Sequence, residues 1–194
     1  MGEQRHTPGP PRPPAEVISL VLLPPVTDVA KAQERRDKAA SRYRPGQVEL
    51  LLVGEAPPTE LDRYFYFENV SRADYLFRGV VPVLLGEEPS RRKARQLAAL
   101  KDRGVFLIDL RPNPFDTRSD ESLVPQLIER VGSIAPKHVV LIKVNVYDVA
   151  YKPLREARLP VVDARLPFPS TGRQREFATG FRLALKDAGF RTPV

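Results

Sequence analysis

The sequence lacks cysteine altogether and contains only two histidines, His6 and His138. Without cysteine there is no disulfide framework, no thiolate nucleophile and no cysteine-ligated zinc or iron–sulfur cluster. Two histidines are also too few for a histidine-rich metal site. We therefore expect neither a metal ion nor another cofactor.

Long apolar stretches and phosphate-binding motifs are missing as well. No run approaches the roughly 20 apolar residues that a transmembrane helix needs, and the first residues lack the basic-then-apolar pattern of a signal peptide. Neither G-x-G-x-x-G nor a Gly-Lys-Ser/Thr phosphate loop occurs, which disfavours a dinucleotide or nucleoside triphosphate site. These absences predict a cytoplasmic protein without a membrane partner, and we expect a monomer.

Proline and basic residues are plentiful in the chain. It has 194 residues with 21 prolines, and 31 Lys and Arg against 24 Asp and Glu give a formal net charge of +7. Such an excess suits a polyanion partner such as DNA, although many basic proteins bind none. Prolines are dense in residues 1–14, which we predict to be a flexible arm. Residues 15–194 have a length that suits a single domain.

Short apolar runs alternate with helical patterns along the chain. Near-continuous apolar runs of this kind are typical of a parallel sheet covered by helices on both faces. The predicted strands are Val48–Val53, Gly104–Leu110, His138–Val144 and a short one at Val161–Asp163. The predicted helices are Thr27–Ser41, Ser71–Phe77, Ser90–Asp102, Ser122–Ser133, Tyr147–Ala157 and Thr171–Gly189, with Val17–Leu23 as a short helix or an edge strand. The expected fold is α/β, a three-layer α/β/α sandwich with a central four-stranded parallel sheet.

The first strand leads into the loop Gly54-Glu55-Ala56-Pro57-Pro58. The two prolines cannot continue a strand or a helix interior, so the backbone must leave the sheet at Gly54. Ligands bind at the carboxyl ends of strands in open α/β sheets, and right-handed crossovers place all those ends on one rim. We therefore expect the loops after Val53, Leu110 and Asp163 to converge on a site.

Four consecutive aromatic residues, Tyr64 to Phe67, follow the first loop. Four adjacent rings cannot all face one core. Alternate rings could be buried in a strand-like segment, or one ring could line the pocket beside Gly54 and stack on a planar ligand.

With these loops in this order, the chain resembles the uracil-DNA glycosylase superfamily, and its first loop is most similar to the thermophile-type fourth family. The features that match are Gly54–Pro57 after the first strand, an aromatic among residues 65–67, Arg111-Pro112 after the second strand, and Pro169-Ser170 before the last helix. The resemblance covers roughly residues 48–190. It implies a protein of DNA repair that flips an altered base out of DNA and hydrolyses its N-glycosidic bond.

The resemblance also implies roles for individual residues. Glu55 stands at the position that orients the attacking water, and Phe65 or Phe67 would stack on the base. Asp109 or Asn113 would read the base edge, where an anionic Asp109 would repel a carbonyl and so disfavour uracil. The implied pocket comprises Gly54, Ala56, Pro57, Phe65, Phe67, Asp109, Asn113 and Phe168.

The last loop departs from the superfamily. Phe168 occupies the place of the histidine that stabilises the leaving base, directly before Pro169-Ser170. The missing cysteines also exclude the iron–sulfur cluster of the most similar family. The substitute donors would be Arg165, Ser170, Thr171 and Arg173, and the implied DNA contacts are Arg111, Ser170, Thr171 and Arg173.

Structural roles are the alternatives for several of these residues. Glu55 could accept hydrogen bonds from loop amides or cap a helix, Asp109 could brace Arg111, and Ser170 or Thr171 could be the N-cap of the closing helix. The basic segment 90–101 is typical of a solvated helix face.

Three hypotheses follow for the function. The protein could be a divergent glycosylase, a superfamily member that binds DNA or a nucleotide or base ligand without excision, or an unrelated α/β protein. The predicted site requires that Glu55, Phe67, Asp109 and Phe168 border one cavity.

Overall fold

The computed structural model describes residues 26–70 and 74–193. The predicted arm at 1–14 and the apolar segment 17–23 lie outside these ranges. In chain order the elements are α1 (Val26–Arg42), β1 (Leu50–Gly54), α2 (Tyr75–Leu85), α3 (Ala94–Asp102), β2 (Val105–Asp109), α4 (Asp120–Ile134), β3 (His138–Leu141), α5 (Val144–Glu156) and α6 (Gln174–Asp187).

The strands form a parallel sheet in the order β2-β1-β3. In the register, Leu50 lies opposite Val105 on one side and His138 on the other, and Gly54 lies opposite Asp109. Every residue of β1 is buried. Because successive side chains of a strand point to opposite faces, helices must cover both faces. The prediction of an α/β fold around a parallel sheet is confirmed.

The segment predicted as a fourth strand does not form one in the described residues. Val161 makes a single parallel bridge to Val139, and Leu166 makes another to Ile142. Between them the backbone turns on itself, because the N–H of Ala164 donates to the carbonyl of Val162 at 3.0 Å. The described sheet therefore has three strands, with segment 161–166 beside the outer edge of β3.

Two helices begin later than the sequence predicts. The helix predicted from Ser90 starts at Ala94, because the Ser90 hydroxyl instead accepts from the N–H of Arg92 at 3.1 Å in a local turn. The closing helix starts at Gln174, after a turn in which the Arg173 N–H donates to the carbonyl of Ser170 at 3.0 Å. Ser170 and Thr171 are therefore not its N-cap.

Two other helices differ from prediction in extent. α2 runs to Leu85, beyond the predicted end at Phe77, and residues 71–73 of the predicted span lie outside the described ranges. Its N-cap is Asp74, whose carboxylate accepts from the N–H of Phe77 at 3.0 Å. α5 begins at Val144 instead of Tyr147, because β3 ends at Leu141. In the part of the chain that the structure describes, no helix is long and apolar enough to cross a membrane.

Candidate functional site

A small cavity lies at the carboxyl edge of the sheet, where β1 and β2 end. Its volume is about 120 Å³. We call it the aromatic cavity, and its lining residues are Ala56, Pro57, Pro58, Arg63, Tyr64, Phe65, Asp74, Tyr75, Leu76, Leu107, Asp109 and Phe168.

Several residues that the sequence placed in the pocket meet in this cavity. Ala56 and Pro57 supply the β1 side, Phe65 and Phe168 supply aromatic walls, and Asp109 supplies a carboxyl group. The loop after β1 therefore meets the end of β2 and the loop before α6, whereas no residue of the loop after Leu110 lines the cavity. The roles of these residues in ligand binding remain predictions.

Gly54 does not line the cavity, but its lack of a side chain leaves room for Asp109. A Cβ atom on this residue would lie 2.6 Å from Oδ1 of Asp109, so any side chain here would displace that carboxyl group. The two residues are paired in the β1–β2 register. Glycine here allows the Asp109 carboxyl group to turn across the end of β1.

Of the two predicted stacking rings, Phe65 lines the cavity and Phe67 does not. Phe67 is buried on the α1 side, with the Arg35 guanidinium 4.3 Å from its ring centre. The aromatic segment forms a turn instead of a strand, since the Phe67 N–H donates to the carbonyl of Tyr64 at 3.1 Å. Glu55 does not line the cavity either. The site predicted from the sequence, with Glu55, Phe67, Asp109 and Phe168 around one cavity, is therefore wrong in that composition, since only Asp109 and Phe168 of the four border the cavity.

Tyr66 fixes this turn against the sheet. Its hydroxyl accepts from the N–H of Leu107 at 2.6 Å and donates to the carbonyl of the same residue at 3.1 Å. β2 is the edge strand on that side, so these bonds satisfy backbone groups that no neighbouring strand reaches. They also determine that Phe65, one residue earlier, points into the cavity.

Asp109 is buried with no hydrogen bond to its carboxyl group from any described residue. It is 9% exposed, and Arg130 donates to the backbone carbonyls of Asp109 and Leu110 at 2.8 and 2.9 Å instead. Burial raises the pKa of Asp109 to about 7, against the opposing influence of Arg130 and Arg36. Near neutral pH the group is therefore a mixture of carboxylic acid and carboxylate.

Asp109 does not brace Arg111. The Arg111 guanidinium pairs with Asp120 at 2.6 Å and donates to the carbonyl of Asp116. The pair is largely buried, with 14% of the Arg111 side chain exposed. Arg111 therefore stabilises the loop after β2 and offers little surface to DNA.

Lys93 lies beneath the cavity and not on a solvated helix face. Its side chain is 1% exposed, and its ammonium group is 3.0 Å from Asp74 Oδ2 and 3.1 Å from the carbonyl of Tyr64. Burial lowers the pKa of Lys93, while Asp74 acts to raise it. The ammonium also lies 4.5 Å from the ring centre of Phe77. The interpretation of segment 90–101 as fully solvated is wrong at this residue.

Glu55 belongs to a neighbouring polar cluster that it forms with Lys143 and Asn145. The Lys143 ammonium pairs with its carboxylate, and Asn145 Nδ2 donates to it at 2.5 Å. Asn145 also donates to Asp120 at 3.3 Å. Glu55 thus neither caps a helix nor accepts from loop amides, and its carboxylate is one-third exposed at the rim.

Lys143 adopts a backbone conformation that side chains rarely take, with φ 89° and ψ 135°. Such residues cluster at functional sites, where the surrounding structure holds them. Sequence reasoning missed both Lys143 and Asn145. It extended β3 to Val144, and no local residue pattern marks a lysine for positive φ.

The other predicted contacts lie outside the aromatic cavity. Asn113 accepts from the N–H of Phe115 at 3.0 Å and so stabilises its own turn. Thr171 is 3.5 Å from the Tyr75 hydroxyl, and Arg173 pairs with Glu176 at 2.9 Å in solvent. Arg165 pairs with Asp148 at 2.7 Å. Ser170 is partly buried in the turn before α6.

Phe168 is positioned by close packing between its loop and α2. A Cβ atom on Gly79 of α2 would lie 2.6 Å from the Pro169 ring, so the glycine allows the loop to approach the helix. Phe168, the preceding residue, then reaches the cavity wall. Nowhere in the described ranges do three or more His, Cys, Asp or Glu side chains gather in a group that could hold a metal ion.

Comparisons with known proteins assign this chain to no family. No protein-family model matches this chain, and a search of curated proteins found no match. Membership of the uracil-DNA glycosylase superfamily therefore stays a prediction from the loops.

Proposed function

We propose that the aromatic cavity binds a planar nucleobase that DNA presents to it, in a fold like that of uracil-DNA glycosylases. The observation that carries this proposal is the Asp109 carboxyl group, which accepts no hydrogen bond from any described residue and borders a cavity walled by Phe65 and Phe168. Aromatic walls suit the faces of a base, and a polar group suits its edge. A volume of about 120 Å³ is well below the roughly 300 Å³ at which pockets for drug-sized ligands begin, so a single base is a suitable ligand.

The sheet supports the finer fold assignment. Segment 161–166 bridges to β3 in a parallel direction at two points. A fourth strand at this edge would complete the sheet that the resemblance implies, in the order β2-β1-β3 followed by this segment.

The surface of α1 supports a polyanion partner. Lys31, Arg35, Lys38 and Arg42 are exposed and recur at spacings of four, three and four residues, which places them on one face of the helix. All of them except Lys31 border a surface groove, which we call the α1 groove. It has a volume of about 300 Å³, and Phe67 also lines it. Lysine and arginine in such a row suit the phosphates of a nucleic acid backbone.

Base excision is the second candidate function. It is favoured by the Glu55 carboxylate, which stays partly exposed at the rim and immediately precedes the cavity residue Ala56. A carboxylate held there by Lys143 and Asn145 could orient a water molecule. Phe168 supplies no hydrogen-bond donor to the departing base, so we rank binding before hydrolysis.

Equilibrium binding tests the first function. We expect the protein to bind an oligonucleotide with one uracil, hypoxanthine or xanthine more tightly than one with an abasic-site analogue at that position. Phe168→Ala should reduce this preference by roughly 5- to 150-fold, since base stacking on an aromatic ring contributes about 1–3 kcal/mol. Phe190→Ala is the matched control, because Phe190 lies beside Glu49 and His138 at the opposite edge of the sheet. An equal loss in both variants, or no preference for any base, would exclude the cavity as the site.

Alkali-labile strand breaks test the second function. Hydrolysis predicts breaks at the altered base that Glu55→Gln abolishes and Glu49→Gln leaves unchanged. Glu49 is a suitable control because it pairs with Lys137 at the far edge of the sheet. Tight binding without breaks would leave base binding as the function.

A further inference from the structure

The surroundings of Asp109 leave its carboxyl group available to a ligand. The nearby cations come from α1 and α4, but Arg36 donates to the carbonyl of Pro58 at 2.7 Å and Arg130 donates to backbone carbonyls. The nearby carboxylates are those of Asp74, before α2, and Glu55, after β1. Two tyrosines are the other titratable neighbours: Tyr64 lines the same cavity, and the Tyr66 hydroxyl is bonded to the backbone of Leu107. Arg63 and Tyr75 are the further titratable residues that line the cavity.

These charged neighbours act on Asp109 in opposite directions, and burial has a larger effect than any of them. Arg36 and Arg130 favour an ionised Asp109, whereas Asp74 and Glu55 oppose it. Asp74 is itself held by the Lys93 ammonium and by the N-terminus of α2. The two acids of the cavity therefore differ: Asp74 is in direct contact with a cation and a helix N-terminus, whereas the arginines near Asp109 donate to backbone carbonyls and not to its carboxyl group.

Resting on the proposed function, we propose that Asp109 meets the base as a neutral carboxylic acid and reads an edge on which a ring N–H lies beside a carbonyl. The acid O–H donates to the base carbonyl, and the acid C=O accepts from the ring N–H. A protonated carboxyl group carries one donor beside an acceptor, while a carboxylate can only accept. Uracil and hypoxanthine both present such an edge, so the ligand class includes the base that an anionic Asp109 would repel.

Burial makes the neutral form accessible under ordinary conditions, since it raises the pKa of Asp109 to about 7. The acid is therefore protonated below that pH and ionised above it. One proton is required for binding, so affinity for the base should fall about tenfold for each pH unit above the pKa.

The experiment compares uracil-containing and abasic oligonucleotides between pH 5.5 and 8.5. The dissociation constant of the abasic oligonucleotide, divided by that of the uracil oligonucleotide, measures the preference for the base without the contribution of backbone contacts. We expect this ratio to be constant below about pH 7 and to fall about tenfold per unit above it. In Asp109→Asn the ratio should stay high and flat, because a neutral amide carries a donor and an acceptor at every pH.

A second measurement uses the unsubstituted protein. The carbon-13 resonance of the Asp109 carboxyl group reports its pKa directly, and saturation with the uracil oligonucleotide should raise that pKa further. A ratio that is independent of pH, or a pKa that ligand leaves unchanged or lowers, overturns the neutral-acid reading while base binding stands. Absence of any preference for uracil in both the unsubstituted protein and Asp109→Asn overturns the proposed function as well.

Discussion

Asp109 should make the stability of the protein depend on pH. Its folded-state pKa of about 7 lies above the ordinary value of 3.8, so between these values the folded protein holds a proton that the unfolded chain has released. Stability therefore falls as pH rises from about 4 to about 7, by up to about 4 kcal/mol, because each unit corresponds to about 1.36 kcal/mol. Above about pH 7 this contribution no longer changes.

Asp109→Asn isolates this effect. The free energy of unfolding of the variant, minus that of the unsubstituted protein, should increase across the same pH interval by up to about 4 kcal/mol. Urea denaturation at several pH values between 4 and 8 measures this difference. A difference that stays constant with pH would show that Asp109 titrates normally.

The buried pair beneath the cavity should respond unequally to removal of its two members. Asp74→Asn retains an N-cap but leaves the Lys93 ammonium, 1% exposed, without its charged partner, and we expect a loss of about 3–5 kcal/mol of stability. Lys93→Met should cost less, because Asp74 remains partly exposed and still caps α2. Urea unfolding measures both variants, with Glu176→Gln in the exposed pair to Arg173 as the control that should change little. Equal losses at the two positions would contradict the asymmetry.

At the scale of elements, the junction between β3 and α5 stores backbone strain at Lys143. Its φ of 89° is readily adopted only by glycine, so Lys143→Gly should be more stable than Lys143→Ala by about 1–3 kcal/mol. Both variants lose the ion pair to Glu55, so comparing them separates the backbone term from the charge. Thermal or urea unfolding provides the measurement. An alanine variant as stable as the glycine variant would mean that the junction is unstrained.

Elements differed in how far the sequence could predict them. The strand at 48–53 was predictable because its apolar run is buried on both faces, and its register with β2 places Gly54 opposite Asp109. Which of Phe65 and Phe67 lines the cavity was not predictable, because this depends on the hydrogen bonds of Tyr66 to β2. The prediction of a fourth strand at 161–163 was wrong, because a short apolar run does not show that its backbone turns on itself.

At the scale of the whole molecule, the charge on α1 should determine how salt weakens DNA binding. Each phosphate contact contributes about 0.9 to the slope of log affinity against log salt concentration for duplex DNA. The double variant Arg35→Ala, Lys38→Ala should therefore reduce that slope by up to about 1.8. The control pair Arg182→Ala, Lys186→Ala removes the same charge from exposed positions of α6. Equal slopes in both variants would assign the effect to net charge alone.

The site as a whole shows that the sequence predicts the position of the cavity at the edge of the sheet better than it predicts the roles of single side chains. Loop order predicted the convergence of Ala56, Asp109 and Phe168, because parallel strands end on one edge. The partners of each side chain come from distant parts of the chain, as with Glu55 and Lys143, and no local pattern encodes them. Candidate walls were therefore predictable, while Glu55 was assigned to the cavity and lies beside it.

Ring resonances of phenylalanine test the central claim, that a base occupies the aromatic cavity. We would label the phenylalanines with carbon-13 and add a saturating oligonucleotide containing one uracil, with the abasic oligonucleotide as the reference. We expect the uracil oligonucleotide alone to shift the ring resonances of Phe65 and Phe168 and to leave Phe190 unchanged. Unchanged resonances of Phe65 and Phe168 with the uracil oligonucleotide bound would contradict the claim.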